Sequence, residues 1–364
     1  MRRNPLIIGC GPAGAAAAII LARVGCRPVV LEKSTGPTHK VCGDFLSFDT
    51  IQRAQALGVD PMSMGGALIQ QVRVIAGDRV VESDLPFPAV GLSRRRIDAA
   101  LVRQAEIAGA VVHTGQTVRH LARDEATWTI QTDTTRTADA VFLATGKHDL
   151  RDSARAHTRH DAIGMKTYLL LAQGPAVTLA YTTELTLFPG GYAGLQHVED
   201  GQTVLCIAVQ RTAFQRYGGT WPGLLAAIRH GSPRFAAMLE GAQSVLPRPL
   251  AVAGIPYGYM AEPGALFRLG DQAAVIPSLT GDGMAIALHS GRQAALAWLG
   301  GVQATDYHRL LRRTLAPQMR LAGLLQRIGT NSLAQAAAVP SLLRMPGLLR
   351  WAASQTRLPS GFVG

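Results

Sequence analysis

Charged and aromatic side chains are scarce in this chain of 364 residues, at 16% and 5%, while hydrophobic residues make up 48%. That balance excludes a disordered polymer and fits a globular protein with length for roughly two domains of about 150 residues each. Cysteine is scarce as well. Cys10, Cys26, Cys42 and Cys206 form no Cys-x-x-Cys pair and no metal-ligand spacing, so no metal centre is expected and the thiols suit the reduced state of a cytoplasmic enzyme. Also absent is any uninterrupted apolar run of about 18 residues, so no membrane span is expected. The basic residues are almost all Arg, and the net charge is +12. No aromatic-interleaved basic patch or finger spacing accompanies that charge, so nucleic acid is not expected as a partner. Much of the charge is local: beyond Gly301 there are eight Arg and one Asp, with no Lys or Glu.

What is present begins at the N-terminus. Arg2 and Arg3 ahead of an Ala-rich stretch have the outline of a secretory signal, but Gly9, Gly11, Pro12 and Gly14 interrupt it and suit a turn. Leu6 to Ile8 reads as a buried strand, Gly9-Cys10-Gly11-Pro12-Ala13-Gly14 as a glycine turn, Ala15 to Val24 as a helix, and Arg27 to Leu31 as a second strand. Glu32 and Lys33 follow, the acid standing 18 residues after Gly14. This is the order of a dinucleotide site. Gly9 allows the turn, Gly11 lets backbone approach a pyrophosphate, and Gly14 lets the helix pack closely. The helix start offers free N–H groups to phosphate, and Glu32 can accept from ribose hydroxyls.

The second half of the chain chooses among dinucleotides. Ala265 to Ala274 is a strand running into Gly270-Asp271, followed by Pro277, Gly281-Asp282-Gly283 and a long helix from Met284 to about Leu299. These residues resemble the second flavin motif of the para-hydroxybenzoate-hydroxylase-like flavoproteins, and among them most resemble the geranylgeranyl-reductase-like branch. The resemblance implies FAD as cofactor, a hydrogen bond from Asp271 to the ribityl chain, and a Pro277–Gly283 loop against the isoalloxazine ring with Met284 beside it. A helix start aimed there would stabilise a reduced, negatively charged flavin. Leu92 to Leu101 resembles the family's Arg-x-x-hydrophobic-Asp helix start, which places Arg94 at the flavin side, with Arg95 and Arg96 a solvated turn. Ala138 to Gly146 resembles the strand that returns to FAD through Ala144-Thr145-Gly146. Thr145-Gly146-Lys147-His148-Asp149 stands where related hydroxylases carry Asp-Gly. Lys40-Val41-Cys42-Gly43-Asp44 resembles the Lys-x-Cys-Gly segment of geranylgeranyl reductases, near the flavin.

Between these anchors the pattern changes. Gln71 to Leu85 alternates as a hairpin around Gly77-Asp78, and Ala176–Tyr181, Thr186–Phe188, Gly191–His197 and Gln202–Val209 read as strands, with Glu199-Asp200-Gly201 a turn. Grouped strands point to an antiparallel substrate sheet inserted in an α/β, Rossmann-like FAD domain. The expected FAD domain comprises 1–68, 91–155 and 260–303, the substrate sheet 69–90 and 156–259, and a C-terminal helical region 304–364. Phe188-Pro189-Gly190-Gly191-Tyr192 resembles the Pro-Gly-Tyr motif of geranylgeranyl reductases. That family continues with Trp and Phe where Gly194-Leu195-Gln196-His197 stand here, which counts against a long isoprenoid substrate. Tyr168, Phe188, Tyr192, His197 and Tyr257 are pocket candidates, with Cys42, Tyr192 and His197 the candidates for chemistry. From Asp306 onward, Leu and Met recur at helical spacing between Arg residues, with a break at Pro340.

No triad is visible, as expected where the cofactor carries the chemistry. There is no second Gly-rich βαβ unit for NAD(P)H, so the donor is expected to dock transiently. The leading expectation is a monooxygenase that hydroxylates a hydrophobic or aromatic molecule through a C4a-hydroperoxyflavin. The alternative is a geranylgeranyl-reductase-like enzyme reducing carbon–carbon double bonds. A non-catalytic flavoprotein or assembly factor is a third class. A halogenase ranks low because no Trp-x-Trp-x-Ile-Pro segment is present. The basic tail is expected either to cap the pocket or to contact membrane or a lipid-like substrate at the inner membrane face.

Overall fold

A computed structural model describes residues 4–125, 127–155 and 161–358. Arg2 and Arg3 lie outside these residues, as does residue 156, the expected start of the second sheet segment. The chain opens with β1 (Pro5–Ile8), α1 (Pro12–Arg23) and β2 (Val29–Leu31), then β3 (Phe45–Leu46) and α2 (Phe48–Ala56). The expected hairpin forms as β4 (Ala67–Ala76) and β5 (Arg79–Gly91), turning at Gly77-Asp78. α3 (Arg94–Ala108) starts where the Ser93 side chain accepts from the Arg96 amide and ends at Gly109, φ +107°. β6 (Val111–His113) follows, then β7 (His120–Asp124), β8 (Thr127–Gln131), β9 (Thr135–Ala138) and β10 (Ala140–Leu143).

The middle comprises β11 (Ala162–Leu170), α4 (Gln173–Leu179), β12 (Thr182–Phe188), β13 (Gly191–His197) and β14 (Thr203–Gln210). Then come α5 (Arg211–Arg216), α6 (Trp221–Gly231), α7 (Pro233–Met238), β15 (Gln243–Ser244) and β16 (Leu250–Ile255). β17 (Phe267–Arg268) leads to α8 (Gly283–Leu299), α9 (Ala304–Thr330), α10 (Ser332–Arg344) and α11 (Gly347–Gln355).

Two sheets organise these elements. The first is parallel, in the order β17-β10-β1-β2-β6. Its strands are apolar on both faces because both are covered. Ile7 and Phe142 face a core built with α1, α3 and α8. Leu6, Ile8, Val141 and Leu143 face Leu121, Trp128 and Ile130 of the β7-β8-β9 sheet, a layer the sequence pattern did not announce. The second sheet runs β15-β11-β14-β13-β12-β4-β5-β3, with β16 also on β11. It is antiparallel except where β12 pairs with β4. One face packs Ile163, Met165, Leu195, Leu205 and Ile207 against Leu224, Ile228 and Phe235 of α6 and α7. Fully burying each of these large side chains is worth about 1.5–3 kcal/mol.

Two local expectations are corrected. Ala176–Tyr181 is not a strand: Gln173–Leu179 is helix, with Leu179 fully buried. A short apolar run carries no period that separates the two states, and Pro175 fits a first helical turn. Pro340 does not break the tail, because it lies inside α10. Ala336, whose carbonyl loses its helical donor, is an exposed residue, so the helix tolerates the proline there. The breaks fall at Asn331, whose side chain caps α10 by accepting from the Ala334 amide at 3.0 Å, and at Met345-Pro346.

Candidate active site

The glycine turn after β1 is shaped by close backbone approaches. Gly9 has φ +94°, and a Cβ there would stand 2.5 Å from the Ala144 carbonyl oxygen. A Cβ on Gly14 would stand 2.0 Å from the Gly9 oxygen. Gly11 is different: a Cβ there would meet only the Arg94 guanidinium, at 4.0 Å. No side chain caps the start of α1 and no acid stands in its first turn, so its N–H groups remain available to an anion. Pro12 and Ala13 are buried in that turn. Glu32 accepts from the Cys10 amide at 2.7 Å and from the Ser34 amide at 2.9 Å, which fixes its carboxylate at the end of β2. Lys33 is exposed.

The second motif closes on the first. A Cβ on Gly270 would lie 3.1 Å from Ala13 Cβ, and one on Gly291 would lie 2.1 Å from the Ala13 oxygen, so α8 rests directly on α1. The Gly270 amide donates to Ser290 Oγ at 2.8 Å. Lys147 Nζ stands 3.1 Å from Asp271 Oδ2, and Gln272 Nε2 donates to the carbonyls of Gly146 (3.0 Å) and His148 (3.1 Å). The Thr145–Asp149 segment is thereby tied to Asp271. Gly281 takes φ +72° beneath Phe45. Asp282 is fully buried and bonded to Arg357, and burial outweighs that guanidinium to push its carboxyl up to about 7. Pro277 and Met284 are buried, while a Cβ on Gly283 or Gly43 would meet nothing within 4 Å. Arg94 holds Asp98 through two bonds of 2.8 and 2.9 Å. Burial opposes its charge, but Asp98, Cys42 and Asp44 hold it protonated.

The second sheet turns its other face toward the Cys42 loop. Register aligns three cross-strand rows there: Tyr192, Ala208 and Gly164; Gly194, Cys206 and Lys166; Gln196, Val204 and Tyr168. Lys166 Nζ donates to Asp44 Oδ2 at 2.6 Å and to the Lys40 carbonyl at 3.2 Å. Tyr168 Oη donates to the same Asp44 oxygen at 2.6 Å, and Gln196 Nε2 donates to the Gly43 carbonyl at 3.1 Å. Burial pushes the Asp44 carboxyl upward, while Lys166, Tyr168 and the Arg94 amide pull against it. The Asp44 amide in turn lies 3.4 Å from Cys42 Sγ. The Cys42 loop is thus pinned to the sheet, and Arg94 links it to the glycine turn.

Tyr192 Oη bonds Ser278 Oγ, and Tyr257 Oη reaches the same oxygen at 2.6 Å. Burial raises both tyrosines and lifts Cys206 to about 12, so all three carry their protons at neutral pH. His197 and Phe188 do not join this group. Phe188 packs in the core on the reverse face. His197 points to that side too, and its ring nitrogens meet the Ala176 carbonyl at 2.9 Å and Thr203 Oγ1 at 3.0 Å. A concavity of about 430 Å³ bounded by Ala172, Arg234 and Met238 also lies apart from every motif residue.

With this geometry in place, comparison with known proteins is decisive for the cofactor. A family model described as FAD binding domain matches residues 3–146. This chain is an FAD-dependent oxidoreductase. Menaquinone reductase of Mycolicibacterium smegmatis is 26% identical over 333 residues, covering 84% of this chain and 78% of the relative. Protein FixC of Salmonella typhi is 25% identical over 354 residues, with the same two coverages of 84% and 78%. In fold, the flavin-dependent brominase Bmp2 aligns with a TM-score of 0.78 at 16% identity, covering 100% of this chain and 96% of its own. The FAD-binding domain expected from the motifs is borne out over residues 3–146.

The flavoprotein's own residues fit FAD. The uncapped start of α1 with open space at Gly11 could take the pyrophosphate, Glu32 the ribose, and the open backbone at Gly43 and Gly283 the flavin. Lys166, Cys206, Gln196, Ser278 and Arg357 escaped the sequence reading. A lone Lys inside the apolar strand Ala162–Leu170 was the one local signal available for them.

Proposed function

We propose that this flavoprotein reduces a hydrophobic, unsaturated or quinone-type small molecule, using a reduced nicotinamide as electron donor. The observation that carries the reading is Tyr192: a buried, protonated hydroxyl bonded to Ser278 in the Pro277–Gly283 loop, on a sheet face that also presents Cys206 and lies toward the Cys42 loop. FAD bound here and reduced by the nicotinamide would supply a hydride. Addition across a carbon–carbon double bond then needs a proton at the other carbon, and a hydroxyl that keeps its proton until charge develops beside it can give one. Tyr257, on the same Ser278 oxygen, provides a route for reprotonation. Gly194 places no side chain between Tyr192 and Gln196 along β13. Lys166, Asp44 and Tyr168 hold the Cys42 loop, and Arg94, Glu32 and Asp271 are proposed to hold the cofactor. The relation to menaquinone reductase over most of the chain supports reduction.

The test is anaerobic turnover of menaquinone and of a short-chain naphthoquinone with NADPH and NADH. A product heavier by two hydrogens, formed without oxygen, supports reduction. A product that appears only in air and carries label from ¹⁸O₂ replaces the proposal with hydroxylation, which the FAD-binding domain alone equally allows. Absence of nicotinamide oxidation with every acceptor would point to a non-catalytic flavoprotein.

A further inference from the structure

The C-terminal helices expose groups that the cofactor site does not use. Along α9, Arg309, Leu310, Arg313, Arg320, Leu324 and Arg327 are all exposed, and their spacing puts them on one stripe. The opposite face, with Tyr307, Leu311, Leu315 and Met319, packs into the main core. α10 packs on α9. Where α10 meets α11, every residue from Leu343 to Gly347 is exposed, and Arg350 and Trp351 follow. Met345 is 61% and Trp351 55% accessible. Asp306 is the sole acid after Gly301.

We infer that the basic stripe of α9 and the exposed α10–α11 junction dock together on the surface of an anionic phospholipid bilayer. The charge is predominantly positive, as headgroup attraction requires: Asp306 pairs with Arg309 at 2.8 Å, and α9, α10 and α11 carry no other acid. Leu343, Met345 and Trp351 are the residue types that enter the headgroup–acyl boundary, where an indole ring is favoured. No described helix is long and apolar enough to cross a membrane, so the contact is peripheral. A second copy of the chain is a poorer occupant, because a two-fold contact would set the basic stripe against itself. The inference does not depend on which substrate is reduced.

The test uses the FAD-loaded protein and vesicles of phosphatidylcholine alone or with about one third phosphatidylglycerol. Co-sedimentation with the anionic vesicles only, reversed by raised salt, is the expected result. Arg313→Glu with Arg320→Glu should lower the partition coefficient on the order of a hundredfold. Met345→Ala with Trp351→Ala should lower it about tenfold or more. Both variants should keep their flavin spectrum and melting temperature. Protein that stays in the supernatant, binds neutral vesicles equally well, or binds undiminished in both variants overturns the inference. So does a dimer that the Met345/Trp351 variant dissociates, with no vesicle binding, since that assigns the face to a second copy.

Discussion

Lys166 Nζ and Asp44 Oδ2 lie 2.6 Å apart, both side chains have no solvent exposure, and 122 residues separate them in sequence. The pair joins β11 of the second sheet to the loop that carries Cys42. Removing two charges from water is costly, and their attraction offsets that cost only when further hydrogen bonds complete the geometry. Here Tyr168 Oη and the Arg94 amide complete it. Asp44 also takes φ +56°, an unfavourable backbone for a residue other than glycine. The cluster therefore fixes where Cys42 sits relative to Arg94 and the glycine turn.

Lys166→Met should destabilise the protein by about 3–5 kcal/mol, because it leaves a buried carboxylate without its counter-ion. The pH dependence has a definite sign. Without Lys166, burial dominates at Asp44 and the folded state holds the proton, while the unfolded chain releases it above about pH 4. Stability of the variant is then fullest below pH 4 and falls as pH rises toward the folded-state value. Lys166→Met with Asp44→Asn should flatten that slope. Thermal unfolding across pH reads both, and a variant with the wild-type profile would contradict the assignment.

Two glycines of the first turn, Gly11 and Gly14, should separate by phenotype. Gly14→Val drives a side chain into the Gly9 oxygen, 2.0 Å from the new Cβ, and should lower the stability of the apoprotein by about 3 kcal/mol or more. Gly11→Val meets only Arg94 at 4.0 Å. It should leave the apoprotein intact yet weaken FAD binding on the order of a hundredfold, about 3 kcal/mol. Apoprotein melting and flavin-fluorescence titration distinguish the two. Equal FAD affinity in Gly11→Val would remove the pyrophosphate from this turn.

Asp282 and Arg357 supply a second pH signature. The Asp282 carboxyl is raised to about 7 by burial, against the pull of Arg357. A folded-state value above the unfolded one means the native state binds the proton more tightly. The contribution is therefore full below about pH 4 and is lost as pH rises to about 7. Asp282→Asn should flatten the stability profile between those limits. Arg357→Met should extend the loss above pH 7. Melting temperatures at half-unit pH steps test this, and an unchanged slope in Asp282→Asn would sink it.

How legible the site was depends on whether its parts are local. Gly9–Glu32 and Gly270–Gly283 each carry their logic within a few residues, so turn, helix start and acid could be read in order. Their meeting through Ala13 and Gly291 follows from small residues on both helices. Lys166 and Asp44 were out of reach, because their contact depends on the register of β11 with β14 and on where the Cys42 loop lands. Register also removed His197. One residue of alternation along β13 separates the Tyr192 face from the reverse face. Arg357 approaches Asp282 from a segment beyond three helices, with no pattern that names its partner.

That same alternation yields the sharpest contrast between two residues once weighed together. Tyr192 faces the Pro277–Gly283 loop and keeps its proton through burial. His197, five positions on, has both ring nitrogens engaged on the other face. If Tyr192 delivers the proton in turnover, Tyr192→Phe should reduce kcat by about 10²–10⁴ with little change in KM. The solvent isotope effect on turnover should disappear in that variant, because hydride transfer then proceeds without a protein donor in step. Flavin reduction by the nicotinamide, followed alone by stopped flow, should stay at the wild-type rate. His197→Ala should alter melting temperature through the lost Thr203 and Ala176 contacts and leave kcat within about twofold. A kcat for Tyr192→Phe equal to wild type would move the proton donor to Cys206 or Cys42, and alanine at each of those positions would then decide between the two thiols.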